Sequence, residues 1–231
     1  YVRHLGPEAR FALDDAVIHA AIDAGIRLVL LHTAYEAGSI GESLKGGQRR
    51  FETRGIDEYW REHDRLTKAL GAHRDASLGV VAHSVRAVPW STIVALRKGA
   101  RARGQVFHMH VEEVIREIEV CEAAHGRRPM RLVVDELEPD HTFTAVHCTH
   151  TAAEDMQRFA ASGATVYLCP STEGNLGDGI ADVPLMRRAG ATVAIGTDLN
   201  SRLCPFEELR WLEYVQRVAR RQRGVVVDGH G

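Results

Sequence analysis

The chain has 231 residues, enough for one domain with a well-buried core, and its 45% hydrophobic and 26% charged shares are those of an ordinary globular protein. With Lys+Arg 29 against Asp+Glu 31 the net charge is -2, which excludes a basic surface built for nucleic acid or an anionic membrane. No apolar run approaches the roughly 20 residues that span a bilayer. Four widely spaced cysteines (Cys121, Cys148, Cys169, Cys204) without a CxxC pair exclude a disulfide framework or zinc knuckle. Tyr1 is followed by neither a basic n-region nor an apolar h-region, so a cytoplasmic protein with no signal peptide is expected.

A first helix is expected over 8–24, where Phe11, Ala12, Val17, Ile18, Ala21 and Ile22 recur at helical period and Gly25 stops the pattern. Apolar β-type runs follow near 26–31, 78–82, 105–110, 143–147, 164–168 and 191–197. Helical stretches separate them: 56–70 with Tyr59, Trp60, Leu66 and Leu70 on one side, 89–103 opened by Pro89, 114–124, and a stretch at 131–137. Thr151 with Glu154 reads as a capping box for a helix carrying Met156 and Phe159, and a last helix runs from after Pro205 to about Arg221. Strands alternating with helices make a parallel sheet. Polar residues at successive strand ends favour a (β/α)8 TIM-like barrel over an open doubly wound sheet, with about six of its βα units here and the first strands expected before Tyr1. The whole of 1–231 is read as one partial barrel domain.

In such barrels the carboxyl ends of the strands build the active site. His32, His83, His110, His147 and Asp198 close or follow apolar runs, which points to metal-assisted hydrolysis. His108 and His110 share one strand face, and His110, nearer the carboxyl end, is the better ligand candidate. Glu113, three residues on, is placed to take a proton from an attacking water and hand it to a leaving amine. The bland alternative is a pair of barrel-lining histidines above a solvated helix start. His147 could ligate a metal or orient water, while His150 sits in the following loop, better placed for substrate. Asp198 is a hard anionic ligand, a base, or simply a helix cap. Arg86, with Arg49 or Arg50, could clamp carboxylates. Residues 171–179 read as a polar, glycine-rich rim loop without the lysine of a phosphate-binding loop, and Cys148 and Cys169 as packing residues near strand ends.

At these residues the chain resembles the amidohydrolase superfamily, and within it the formimidoylglutamate deiminases. The similar segments are Gly47-Gln48-Arg49-Arg50-Phe51, His83-Ser84-Val85-Arg86, His108-Met109-His110-Val111-Glu112-Glu113, Val146-His147-Cys148-Thr149-His150, Cys169-Pro170-Ser171-Thr172-Glu173-Gly174-Asn175-Leu176-Gly177-Asp178-Gly179, Gly196-Thr197-Asp198 and Glu207-Glu208-Leu209-Arg210-Trp211. The resemblance implies a zinc ion (or another divalent transition metal), one per chain, held by His110 and Asp198. It implies proton transfer by Glu113, water held by His147, and recognition of a small dicarboxylate by His83, Arg86, Tyr35, Gln48, Arg49 and His150. The implied reaction converts N-formimino-L-glutamate to N-formyl-L-glutamate and ammonia in histidine degradation, in a homodimer. A deaminase acting on a purine, pterin or triazine ring and a catalytically incomplete fragment are the alternatives. The family's His-x-His pair would fall upstream of Tyr1, whose segment Tyr1-Val2-Arg3-His4 is similar to the stretch after strand two, and Leu199-Asn200 replaces the usual Ser-His.

Overall fold

A computed structural model describes residues 12–71, 73–199 and 202–227. The start of the first expected helix, the Tyr1–His4 segment and Asn200 lie outside the described residues. The chain forms two compact units, 1–109 and 110–231.

The first unit holds α1 (Ala12–Asp23), β1 (Leu28–Ala34), a 3-10 turn (Gly46–Phe51), α2 (Ile56–Leu70), β2 (Ala76–Ala82), α3 (Trp90–Ala102) and most of β3 (Phe107–Val111). β1, β2 and β3 are parallel neighbours, with Leu30 opposite Leu78 and Val81 opposite His108. Ile18, Leu66, Leu70 and Leu78 form a buried cluster, with Leu28, Leu30 and Ala76 against it. β1 begins two residues later than the apolar run suggests, because Ile26 N still bonds back to Ala21 O and the ladder opens only at Leu28 N to Asp75 O. It also continues past His32, which therefore lies inside the strand. His32 stacks on Tyr59 at 4.2 Å and places Nδ1 3.4 Å from His63 Nδ1. It belongs to the packing between strand and helix.

Gly99 of α3 is required by close approach. A β-carbon there would meet the Trp60 ring, with Cη2 at 2.7 Å, and Arg103 lies over that ring at 3.9 Å from its centroid. Gly99→Ala is expected to destabilise by up to about 2 kcal/mol, because overpacking (~1–3 kcal/mol) matches or exceeds the ~1 kcal/mol gain in helix propensity. A lowered urea midpoint at unchanged slope is the check.

The second unit holds α4 (Ile115–His125), α5 (Pro129–Glu136), β4 (Phe143–His147), α6 (Ala153–Ala161), β5 (Thr165–Leu168), α7 (Pro170–Leu176), α8 (Val183–Arg188), β6 (Thr192–Ile195) and α9 (Pro205–Arg220). β4, β5 and β6 are parallel and adjacent in chain order. Its core centres on Phe143 and Phe159, both fully buried, with ring centroids 5.8 Å apart. The capping box at Thr151 is not formed. Thr151 N closes a turn on Cys148 O, which moves the cap to Ala152, and Glu154 pairs instead with Arg131 at 3.0 Å. The expected rim loop at 171–179 is largely helix α7. Pro170 at the first position presets its φ, and Gly177 in the left-handed conformation (φ 75) ends it.

Candidate active site

Three strand ends in the second unit deliver the chemistry. β4 stops at His147, β5 runs into Cys169, and β6 into Gly196-Thr197-Asp198. One ligand atom from each of His147, Cys169 and Asp198 lies within 4.8 Å of the other two. His147 and Cys169 are buried and Asp198 is exposed. His147 (φ 72), Cys148 (φ 51), Asp198 (φ 44) and Glu112 (φ 53) all hold the left-handed conformation that non-glycine residues avoid. Such strain persists only where the surroundings impose it, and it gathers at functional sites. Gly196 is the one residue that fits before Thr197, since a β-carbon would meet the Tyr167 hydroxyl at 2.6 Å. Thr172 Oγ1 donates to Thr197 O at 3.1 Å, tying α7 to the turn that carries Asp198.

Glu173 organises the buried side. Its Oε1 accepts from Cys169 N at 2.9 Å and lies 3.3 Å from His147 Nδ1. An apolar cavity of about 220 Å³, lined by Leu168, Pro170, Ile180, Trp211 and Leu212, borders this carboxylate. With Nδ1 engaged, His147 Nε2 is the ring nitrogen left open. It is buried without a hydrogen bond and stands 3.6 Å from Glu113 Oε1. Burial disfavours the charged imidazole, but Glu173, Glu113 and Asp198 outweigh that cost and raise its pKa. The Cys169 thiol pKa is also raised, by burial and then by Asp198 and Glu173, which favours its neutral form. His110, on the same face of β3 as His108, stacks over His147 with centroids 5.4 Å apart. An orphaned buried imidazole nitrogen, a thiol and a carboxylate are a donor set suited to zinc, so the residues fit the implied metal.

His150 of this unit places Nε2 2.7 Å from the Asp178 carbonyl, and its own carbonyl accepts from Arg128 Nη2 at 2.5 Å. Arg128 Nε in turn donates to the fully buried Glu112 at 3.3 Å, and Met130 N donates to the same Oε1 at 3.2 Å.

The remaining candidates lie in the first unit. Tyr35 meets His83 edge-on at 4.8 Å and accepts through its hydroxyl from Gln48 Nε2 at 3.2 Å. Gln48 Oε1 accepts from Lys45 N at 3.0 Å, which fixes the amide. Arg49 is exposed and donates Nε to Leu44 O at 3.4 Å. Arg86 is half-buried, in the turn that follows His83. Tyr35, Gln48 and His83 are thus brought together, while the Arg49 guanidinium has a local carbonyl partner.

Sequence reasoning read Cys169 as a packing residue and gave Glu173 no role of its own. The available signal was a strand followed by Cys-Pro with Glu four residues after the Cys, which places that carboxylate in the first turn of a proline-opened helix, folded back on the strand end.

Residues 5–228 match the amidohydrolase family. A formimidoylglutamate deiminase of Pseudomonas aeruginosa is 38% identical over 208 residues, 90% of this chain and 45% of the relative. A 5-methylthioadenosine/S-adenosylhomocysteine deaminase of Halobacterium salinarum is 37% identical over 132 residues, 55% of this chain and 30% of the relative. The crystal structure of an amidohydrolase from Brucella melitensis matches with TM-score 0.89 at 34% identity, covering 94% of this chain and 48% of that one. The chain therefore spans about half the length of the first of these relatives. Its parallel α/β order and that likeness show a barrel of the (β/α)8 type, with about six βα units present. The chain belongs to the amidohydrolase family.

Proposed function

We propose that the chain serves a metal-dependent hydrolytic deamination of N-formimino-L-glutamate to N-formyl-L-glutamate and ammonia, in histidine degradation. The observation that carries the chemistry is Glu113 Oε1 standing 3.6 Å from the orphaned His147 Nε2 at adjoining strand ends. That spacing is too long for a strong direct hydrogen bond and close enough for one water to touch both. Zinc, one per chain, would be held by His110 and Asp198, and when bound it supplies Lewis acidity that lowers the pKa of the attacking water toward neutrality. Glu113 takes the water's proton as the oxygen adds to the formimino carbon, then returns a proton to the departing nitrogen as the C–N bond breaks. His147, its ring fixed by Glu173, orients the water.

The 38% identical deiminase supports this substrate. So do Arg86, Arg49 and the Tyr35–Gln48–His83 group, whose cations and donors suit a dicarboxylate. The Halobacterium relative favours a second reading, a deaminase of a purine nucleoside. A cytoplasmic homodimer is part of the proposal, and no described helix is long and apolar enough to cross a membrane. Among the described residues, within their own units, β1 pairs with β2 alone and β6 with β5 alone, and an unpaired strand edge recruits partners. Self-association of the isolated chain is expected; a monodisperse monomer with a cooperative melt would count against it.

The decisive experiment measures metal content and ammonia release from N-formimino-L-glutamate beside 5-methylthioadenosine. Zinc with release from the first supports the proposal, and release from the second alone moves it to the nucleoside reading. A folded chain that is inactive on both after zinc loading overturns it.

A further inference from the structure

We propose that the apolar cavity beside Glu173 is a further ligand site, which takes a small, largely apolar ring molecule carrying a single N–H or O–H donor. The site goes beyond the deamination described above and needs neither its metal nor its substrate.

The walls are apolar and set in advance. The cavity, of about 220 Å³, lies within the second unit, among the end of β5, α7, the start of α8 and α9. Leu168 and Val183 in its wall are buried, while Ile180 and Trp211 are 45% and 42% exposed, so it opens to solvent on their side. Trp211 is packed against α7, since a β-carbon at Gly174 would stand 3.3 Å from its Cζ3. Gln216 is buried and donates Nε2 to Ala181 O at 2.7 Å, which ties α9 to the segment before α8. Walls fixed before binding lower the ordering cost of an occupant. The volume is below the ~300–1,000 Å³ of sites for drug-sized ligands and above the roughly 150 Å³ of an engineered cavity that holds benzene, which selects a molecule of one or two rings. Trp211 offers such a ring an aromatic surface.

One polar group selects the chemistry. Glu173, 5% exposed, belongs to the cavity wall. Both hydrogen bonds of its side chain fall on Oε1, with Cys169 N at 2.9 Å and His147 Nδ1 at 3.3 Å. Its Oε2 has no hydrogen-bond partner among the described residues. A carboxylate oxygen in apolar surroundings is costly unless a donor meets it. Gln216, the other polar side chain of the wall, is already engaged by Ala181 O and by Arg220 Nε at 3.4 Å, so one donor on the ligand suffices. Among the described residues no basic side chain lines the cavity, and Glu173 repels anions, so a dicarboxylate is refused.

The test is equilibrium dialysis of the whole chain, stripped of metal, against indole and, separately, against benzofuran, which has the same shape with a ring oxygen in place of the N–H. Indole is expected to saturate at a single equivalent, with benzofuran at least about tenfold weaker, the worth of a hydrogen bond to a charged group. Ala181→Leu, which enlarges a buried wall residue into the cavity, should abolish indole binding in a chain with a native far-ultraviolet spectrum. Saturating N-formimino-L-glutamate should leave the indole affinity unchanged. Equal affinity for benzofuran, displacement of indole by N-formimino-L-glutamate, binding that survives Ala181→Leu, or no indole bound up to its solubility overturns the site. The indole–benzofuran comparison is made on the wild-type chain, so the conclusion does not depend on the variant folding. Ammonia release is assayed separately, so either reading can fail while the other stands.

Discussion

Glu113→Gln is expected to slow ammonia release by about 10²–10⁴-fold, the usual worth of a positioned general acid–base. The amide keeps the volume and the hydrogen-bonding reach of the carboxylate but cannot take a proton from water. Glu113 sits beside His147 Nε2, with its side chain 15% exposed, in the turn that leaves β3. It is outside the His147–Cys169–Asp198 group, so zinc content should stay at the wild-type value. Because the lost interaction belongs to proton transfer in the transition state, kcat and kcat/KM should fall together with KM little changed. Steady-state assays on N-formimino-L-glutamate, with metal analysis of the same preparations, make the check. A variant within a few-fold of wild type would remove Glu113 from the mechanism, and one that loses zinc would make it a ligand.

The strand ends were legible because each apolar run is short and stops at a polar residue, and burial obeys the same alternation. β4 shows this directly: the run 143–147 is the strand Phe143–His147, with the ligand candidate as its last residue. Along β3, period two puts His108 and His110 on one face, as expected, and both are half-buried while Phe107, Met109 and Val111 are buried. The pattern misleads where a polar residue lies inside a strand. His32 looks like a rim histidine, yet it faces Tyr59 and His63, because β1 continues two residues beyond it. Composition misled at 171–179: serine, threonine, asparagine and glycine suggest a loop, but Pro170 starts a helix that Ser171 N anchors to the buried Glu208 at 3.0 Å. That tertiary bond overrides weak propensity. The grouping of Cys169 and Glu173 with His147 was not legible for a similar reason, since it exists only once β4, β5 and α7 are assembled.

Glu112, next to Glu113 and never singled out by sequence, should reveal itself through its partner. Arg128→Leu is expected to destabilise the chain by about 3 kcal/mol, at the low end for breaking a buried pair because the Arg128 side chain is itself 31% exposed. The loss is large because Glu112 is fully buried with φ 53, and Arg128 is the one cation donating to it among its observed hydrogen bonds. Burial already raises the Glu112 pKa, and Arg128 is the strongest influence holding it down. A folded-state pKa above the unfolded value means the native state binds more protons, so this group's contribution falls as pH rises above the ordinary carboxylate range. Without Arg128 the folded pKa rises further. The variant's deficit against wild type should therefore be widest at neutral pH and shrink on acidification toward the unfolded glutamate value. Adding Glu112→Gln should recover much of the loss, because a neutral amide leaves no uncompensated charge to bury. Arg128 also donates to His150 O, so the single variant should loosen the turn after β4 and slow catalysis beyond its effect on folding. Urea unfolding of both variants across pH tests this. A deficit independent of pH, or a double variant no more stable than Arg128→Leu alone, would mean that Arg128 acts through the His150 carbonyl and that the buried carboxylate is carried by its backbone donors.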